Sequence, residues 1–152
     1  MRVWRICRGR YAAAAYAGEG ARLYGGRWNS PGVRVVYTST SLALAAIELF
    51  VHLEPNLRPD DLVSIAADLP EEIRTARIAV HELPSNWAAR RSEGLRKFGD
   101  NWVRGGTTAA LLVPSAAVRG EWNVLLNPAH ADFAAIRLQR PSPFEFDLRM
   151  FR

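Results

Sequence analysis

The sequence predicts an α+β fold, a single compact domain spanning 1–152 with a mixed, mostly antiparallel β core and flanking helices. Three observations predict it. A chain of 152 residues is the size of one domain, long enough to bury about 68 to 70% of its unfolded surface around one core. Short stretches of β-branched, aromatic or alternating residues recur between polar turns, the pattern of strands. Two longer stretches, Leu42 to Leu53 and Ser92 to Val103, carry helix formers instead.

Taken in order, Val3 to Cys7 reads as a first strand, with Arg5 its odd residue. Tyr11 to Gly20 is Ala-rich and reads as a helical turn followed by a loop. Gly25 to Gly32 is a structured turn, because three glycines and a proline punctuate it. Val33 to Thr38 is a strand that delivers Tyr37 near its end, and Ser39-Thr40-Ser41 supplies capping hydroxyls for the helix from Leu42 to Leu53. Leu62 to Leu69 and Ala76 to Leu83 read as strands, and Ser92 to Val103 as a charged surface helix closed by Gly105-Gly106. Thr107 to Val113 is a buried strand ending at Pro114-Ser115, and Glu121 to Pro128 a strand with asparagines at both ends. Ala135 to Leu138 is a late strand, and Phe144 to Phe151 an aromatic tail that packs on the core.

Composition narrows the function classes. Cys7 is the only cysteine, so there is no intramolecular disulfide and no cysteine-built metal site within one chain. This favours a cytoplasmic protein. No apolar run reaches the 18 residues of a membrane span, and none is expected. The net charge is +5 with a pI near 10.1, and nineteen of the twenty basic residues are arginine, Lys97 being the exception. Such a balance suits an acidic partner, nucleic acid or a phosphate-bearing ligand. The arginines are scattered, with Arg90-Arg91 an isolated pair, so direct nucleic-acid binding is not expected.

Three polar residues stand where the pattern does not call for them. Arg27 sits beside Trp28 in the glycine-rich turn; it is either a solvated charge beside a core anchor or a guanidinium held rigidly as an anion clamp. Glu48 lies in an apolar helix, on a narrow solvent stripe with Ser41, Leu44 and His52 or facing a cleft, since burying a lone carboxylate costs several kcal/mol. Ser115 follows a proline at a strand end, where turn chemistry alone would explain it, as it would explain Asn127 before Pro128. His52, His81 and His130 have no metal-site spacing, so no metal is expected, and nucleophile-elbow, dinucleotide and Walker motifs are absent. What remains is Arg, Tyr, Glu and Ser near element ends, a set suited to a substrate with phosphates, an aromatic ring and a sugar.

The order Gly25-Gly26-Arg27-Trp28-Asn29, then Val36-Tyr37-Thr38, then the helix bearing Glu48 and His52, then Val113-Pro114-Ser115 and Asn123 to Pro128, resembles the RES-domain family over essentially the whole chain. The family's naming Arg, Glu and Ser match Arg27, Glu48 and Ser115. The resemblance implies an ADP-ribosyltransferase-like fold and the toxin of a bacterial toxin–antitoxin pair that degrades NAD. It implies Arg27, Glu48 and Ser115 as a catalytic set meeting in space, with Glu48 the catalytic carboxylate, Arg27 binding the NAD pyrophosphate or pairing with Glu48, and Ser115 holding a ribose hydroxyl of NAD or supporting Glu48. It further implies Tyr37 stacking on or bordering the nicotinamide, and Arg5 and Asn127 as further ligand contacts. It also implies a cognate antitoxin with a helix-turn-helix DNA-binding region. Water, phosphate or a protein side chain as acceptor all stay open, the last making the chain an ADP-ribosyltransferase; a homodimer also stays open. A basic nucleic-acid-binding module without catalysis is the reading from a different class.

Overall fold

In the computed structural model, which describes residues 1–89 and 94–152, the strands join one sheet in the order β4-β5-β6-β2-β1-β3-β7, with β8 beside β7 on the edge of β3. These are β1 (Arg2–Arg8), β2 (Val36–Ser39), β3 (Leu62–Asp68), β4 (Thr75–Arg77), β5 (Ala110–Pro114), β6 (Trp122–Leu126), β7 (Arg137–Leu138) and β8 (Ser142–Pro143). Only the β4–β5 pair is parallel among them, so the sheet is mixed and mostly antiparallel.

Strand alternation sorts the side chains onto two faces. One face carries Val3, Val36, Ile65, Ala67, Ala110, Val124 and Leu126. Ala15 and Tyr16 close over it, just after a 3-10 helix at Gly9–Ala14. The opposite face carries two clusters. Helix α2 (Leu42–Phe50) lays Ala45 against Ile6 and Leu62. Trp28 and Trp102 pack with Leu111, Val113 and Leu125 beneath the Gly25–Gly32 turn and helix α3 (Arg96–Gly105). Phe50, Phe144, Phe146 and Phe151 meet edge to face at centroid separations of 5.1 to 5.8 Å, so the aromatic tail does pack on the core.

β1 and β2 are joined by one registered pair, Trp4 opposite Ser39. β1 and β3, in contrast, run in register from Arg2–Asp68 to Arg8–Leu62. At the short junction the Arg5 guanidinium reaches across and donates to the Tyr37 carbonyl at 2.9 Å.

Several elements differ from the sequence expectation. Helix α1 (Glu19–Tyr24) occupies what reads as loop. Gly18 and Gly20 argue against a helix locally, yet Gly18 supplies the left-handed entry, φ 73°, and Arg22 pairs with Glu19. The expected strand Ala76 to Leu83 shortens to Thr75–Arg77, followed by a 3-10 turn at Val80–Glu82. Its apolar Ile78 and Leu83 are buried in the core; the Ile78 amide still donates to the Leu112 carbonyl of β5 at 3.0 Å, and Leu83 follows the 3-10 turn outside the ladder. The Ser92 start and the Arg90-Arg91 pair lie outside the described residues; the helix is described from Arg96. Its Arg96, Lys97 and Arg104 are exposed, but Gly99, Asp100 and Trp102 are buried, so it is amphipathic and not a surface helix all round.

Candidate active site

Ser41 caps α2 by accepting from the Leu44 amide at 3.1 Å, and this fixes the start of the helix. Leu44 and Ala45 are buried on its inner side, and Glu48, one turn on, is half-buried where the helix passes the ends of β5 and β6. Its Oε1 accepts from the Ser115 hydroxyl at 2.6 Å and from the Asn123 side-chain amide at 2.5 Å. Glu48 therefore faces protein donors and not a solvated stripe.

Ser115 is 1% exposed and held on both sides. Its amide donates to the Glu121 carbonyl at 2.9 Å, and its Oγ accepts from the Val118 amide at 2.9 Å, which closes the turn between β5 and β6. Asn123 stands opposite both Val113 and Ser39 in the sheet register. Its Oδ1 accepts from the Ser39 hydroxyl at 2.7 Å. Asn123 and Ser39 escaped the sequence reading of the site, the first as a strand-end asparagine and the second as a helix cap. The signal for Asn123 was its period-two spacing from Leu125, which aims the amide to the same face as that buried leucine.

The Gly25–Gly32 turn lies over the same face. Tyr37 and Ser39 alternate onto one side of β2, about 7 Å apart along the strand. The Tyr37 hydroxyl donates to Asn29 Oδ1 at 2.7 Å and accepts from the Trp28 amide at 3.1 Å. Burial raises the phenol's pKa above its ordinary value, and the Trp28 amide opposes this in part. Asn29, with no exposed surface, spends its amide on the carbonyls of Ala21, Val33 and Ser30. Asp100 in α3 accepts from both the amide and hydroxyl of Ser30, at 2.8 and 2.6 Å, and Arg96 donates to the Gly26 carbonyl. A Cβ on Gly26 would lie 2.5 Å from the Tyr37 hydroxyl, and one on Gly99 would lie 1.9 Å from the Trp28 carbonyl. These contacts explain the glycines and the rigidity of the turn. Asp100 lies in the helix expected to be a charged surface one, yet it is buried against the turn.

Arg27 extends from this frame and donates to the carbonyls of Trp87 and Ala89 at 3.0 and 2.9 Å. Among the described residues it forms no ion pair with Glu48. Trp28 is the core anchor beside it, 2% exposed. Arg5 shares its face of β1 with Val3 and Cys7, the side away from Glu48. Burial lowers its pKa below the ordinary guanidinium value, and its Nε has no partner among the described residues. Asn127 lies at the far end of β6 from Asn123, where its Oδ1 accepts from the Ala129 amide at 3.0 Å to form a turn. The structure thus joins Glu48 to Ser115 and adds Asn123 and Ser39, with the Arg27 turn on the same face and Arg5 and Asn127 elsewhere. No group of His, Cys, Asp and Glu suited to a metal occurs among the described residues. Two shallow depressions around Ile73 do not border Glu48.

This is an α+β domain of ADP-ribosyltransferase-like fold. It aligns with a chain of the crystal structure of the M. tuberculosis MbcT-MbcA toxin-antitoxin complex at a TM-score of 0.74, covering 99% of this chain and 86% of that one. The identity between them is 15%, so the likeness is one of fold. By sequence the chain belongs to the RES domain family, whose model matches residues 2–148. It is 38% identical over 154 residues to a Sphingobium sp. protein named Prs ADP-ribosylating toxin, covering 98% of this chain and 96% of that protein. It is 37% identical over 134 residues to Toxin Res of Photorhabdus laumondii, covering 88% and 85%. Among the described residues no helix is long and apolar enough to cross a membrane.

Proposed function

We propose that this chain is the toxin of a toxin–antitoxin pair and consumes NAD by breaking the bond between nicotinamide and ribose. The observation that carries the reading is the Glu48 carboxylate fixed through Oε1 by Ser115 and Asn123. Its Oε2 accepts no hydrogen bond from any described residue. Breaking the glycosidic C–N bond sends the electron pair out with nicotinamide and leaves positive charge on the sugar, as in glycoside hydrolysis. A pre-oriented carboxylate stabilises that charge without reorganising during the reaction.

Water or phosphate then adds to the anomeric carbon, and the proton lost from the acceptor passes to Glu48 or solvent. The aromatic Tyr37 and the Arg27 guanidinium supply a surface for the nicotinamide ring and donors for the pyrophosphate, which suits the chemistry of this substrate. The test is nicotinamide release from NAD by purified protein, with and without phosphate. Wild type should release it and Glu48→Gln should not; equal persistence of NAD with both would sink the reading.

The name of the Sphingobium relative supports a second reading, transfer of ADP-ribose to a protein. Label from adenine-labelled NAD retained on a macromolecule would favour transfer, whereas label found only in small products would favour cleavage. The partner we propose is a cognate antitoxin with a helix-turn-helix region, which would take DNA contact away from this chain. The +5 charge suits an acidic segment of that partner. Co-purified antitoxin should suppress NAD loss, and full activity in a stable complex would refute blocking of the site.

A further inference from the structure

We infer that Ser39 and Asn123 are positioning residues that set which oxygen of Glu48 meets the substrate, an inference that rests on the NAD-consuming reading. Three hydrogen bonds carry it. Ser39 Oγ donates to Asn123 Oδ1 at 2.7 Å, Asn123 Nδ2 donates to Glu48 Oε1 at 2.5 Å, and Ser115 Oγ donates to the same Oε1 at 2.6 Å. An asparagine side chain has an acceptor end and a donor end, and the two can exchange by a flip. A hydroxyl donating to Oδ1 makes the donor end the one that faces Glu48.

Both donors then converge on a single carboxylate oxygen, so rotation of the carboxylate would break two charge-assisted bonds at once. Oε1 is the held oxygen and Oε2 the presented one. Ser39 is 4% exposed and opposite Asn123 in the strand register, so β2 and β6 fix this relation by backbone pairing. The arrangement takes its orientation from the sheet, and α2 contributes only the carboxylate.

The relay makes the Asn123 amide a reporter of Glu48 with or without turnover. In nitrogen-15 spectra of the wild-type protein, one Asn123 side-chain amide proton should lie downfield of the other asparagines. The shift should be lost in Glu48→Gln and reduced in Ser39→Ala. In NAD turnover, Asn123→Ala should lower kcat on the order of 100-fold and Ser39→Ala about tenfold. The KM for NAD should stay within about twofold, since neither group is assigned to substrate binding. An unshifted Asn123 amide in wild type, or wild-type kcat in a folded Ser39→Ala, overturns the inference. Should Asn123→Ala not fold, the wild-type spectrum and Ser39→Ala still decide. A wild-type protein inert toward NAD removes the functional reading, and the amide spectra then judge the relay alone.

Discussion

The hydroxyl of Ser115 meets the carboxylate of Glu48 at 2.6 Å across 67 positions of sequence. The two arrive on different elements, a turn after β5 and the last turn of α2, and nothing local in either segment requires the other. Truncating Ser115 to Ala removes a donor to Glu48 and the acceptor for Val118. Nicotinamide release should fall on the order of 100-fold, the cost of deleting one preorganised donor. The circular dichroism spectrum should stay native; unchanged turnover in Ser115→Ala would separate this hydroxyl from the chemistry.

Gly99→Ala should be among the most disruptive small substitutions in the chain. The added methyl would sit 1.9 Å from the Trp28 carbonyl, a backbone atom that can yield only by moving the turn. Overpacking of this kind costs about 1 to 3 kcal/mol, and more where backbone must shift. Urea unfolding should show a loss of at least that size, while Gly105→Ala, with open space around it, should cost far less.

Tyr37→Phe keeps the ring and removes the hydroxyl that binds Asn29 and Trp28. The loss should be about 1 to 3 kcal/mol, since it leaves buried polar atoms without partners. The KM for NAD should rise with it if the turn holding Arg27 positions substrate. A stable variant with unchanged KM would assign the turn no part in binding.

Stability should fall in alkali. The Tyr16 hydroxyl donates to the Ile65 carbonyl at 3.0 Å, and burial raises the pKa of both Tyr16 and Tyr37 above their ordinary values. In the unfolded chain a phenol ionises near pH 10. Above that pH the unfolded state releases protons that the folded state keeps, so their contribution is full below about pH 10 and is lost as pH rises toward the folded-state values. Urea midpoints from pH 8 to 11 should decline, and Tyr16→Phe should flatten the decline; parallel slopes would contradict it.

Strand alternation and glycine punctuation made most of the sheet readable from sequence. Leu62 to Asp68 and Trp122 to Leu126 stand almost where expected, because apolar periodicity is a local property. The failures have long-range causes. The ladder with β5 ends at the Ile78 amide, and Val80 to Leu83 turn away from it although they carry strand-like residues, with Leu83 buried in the core. The buried side of the charged helix α3 was not legible, because Ser30, the partner of its Asp100, is 70 positions away. Asn123 was visible as a strand-end asparagine, yet its bond to Glu48 depends on how α2 crosses the sheet, which spacing does not encode. Glu48 and Ser115 were legible as misplaced polar groups that the family resemblance places together with Arg27; that Ser115 meets Glu48 directly while Arg27 turns to the Trp87 and Ala89 carbonyls was not.

The Arg5 crossing between β1 and β2 has a consequence for how the protein comes apart. With one registered strand pair and one guanidinium bond at that junction, the ladder divides into two blocks, β4-β5-β6-β2 and β1-β3-β7 with β8. Backbone amides within each block should exchange with deuterium as a cooperative group, with the junction opening before either block melts. Glu48 reaches from α2 to Ser115 and Asn123 in the first block, while Ala45 of the same helix packs on Ile6 and Leu62 in the second. The helix is thus a strap across the seam, and loosening it would release the carboxylate and the two blocks together.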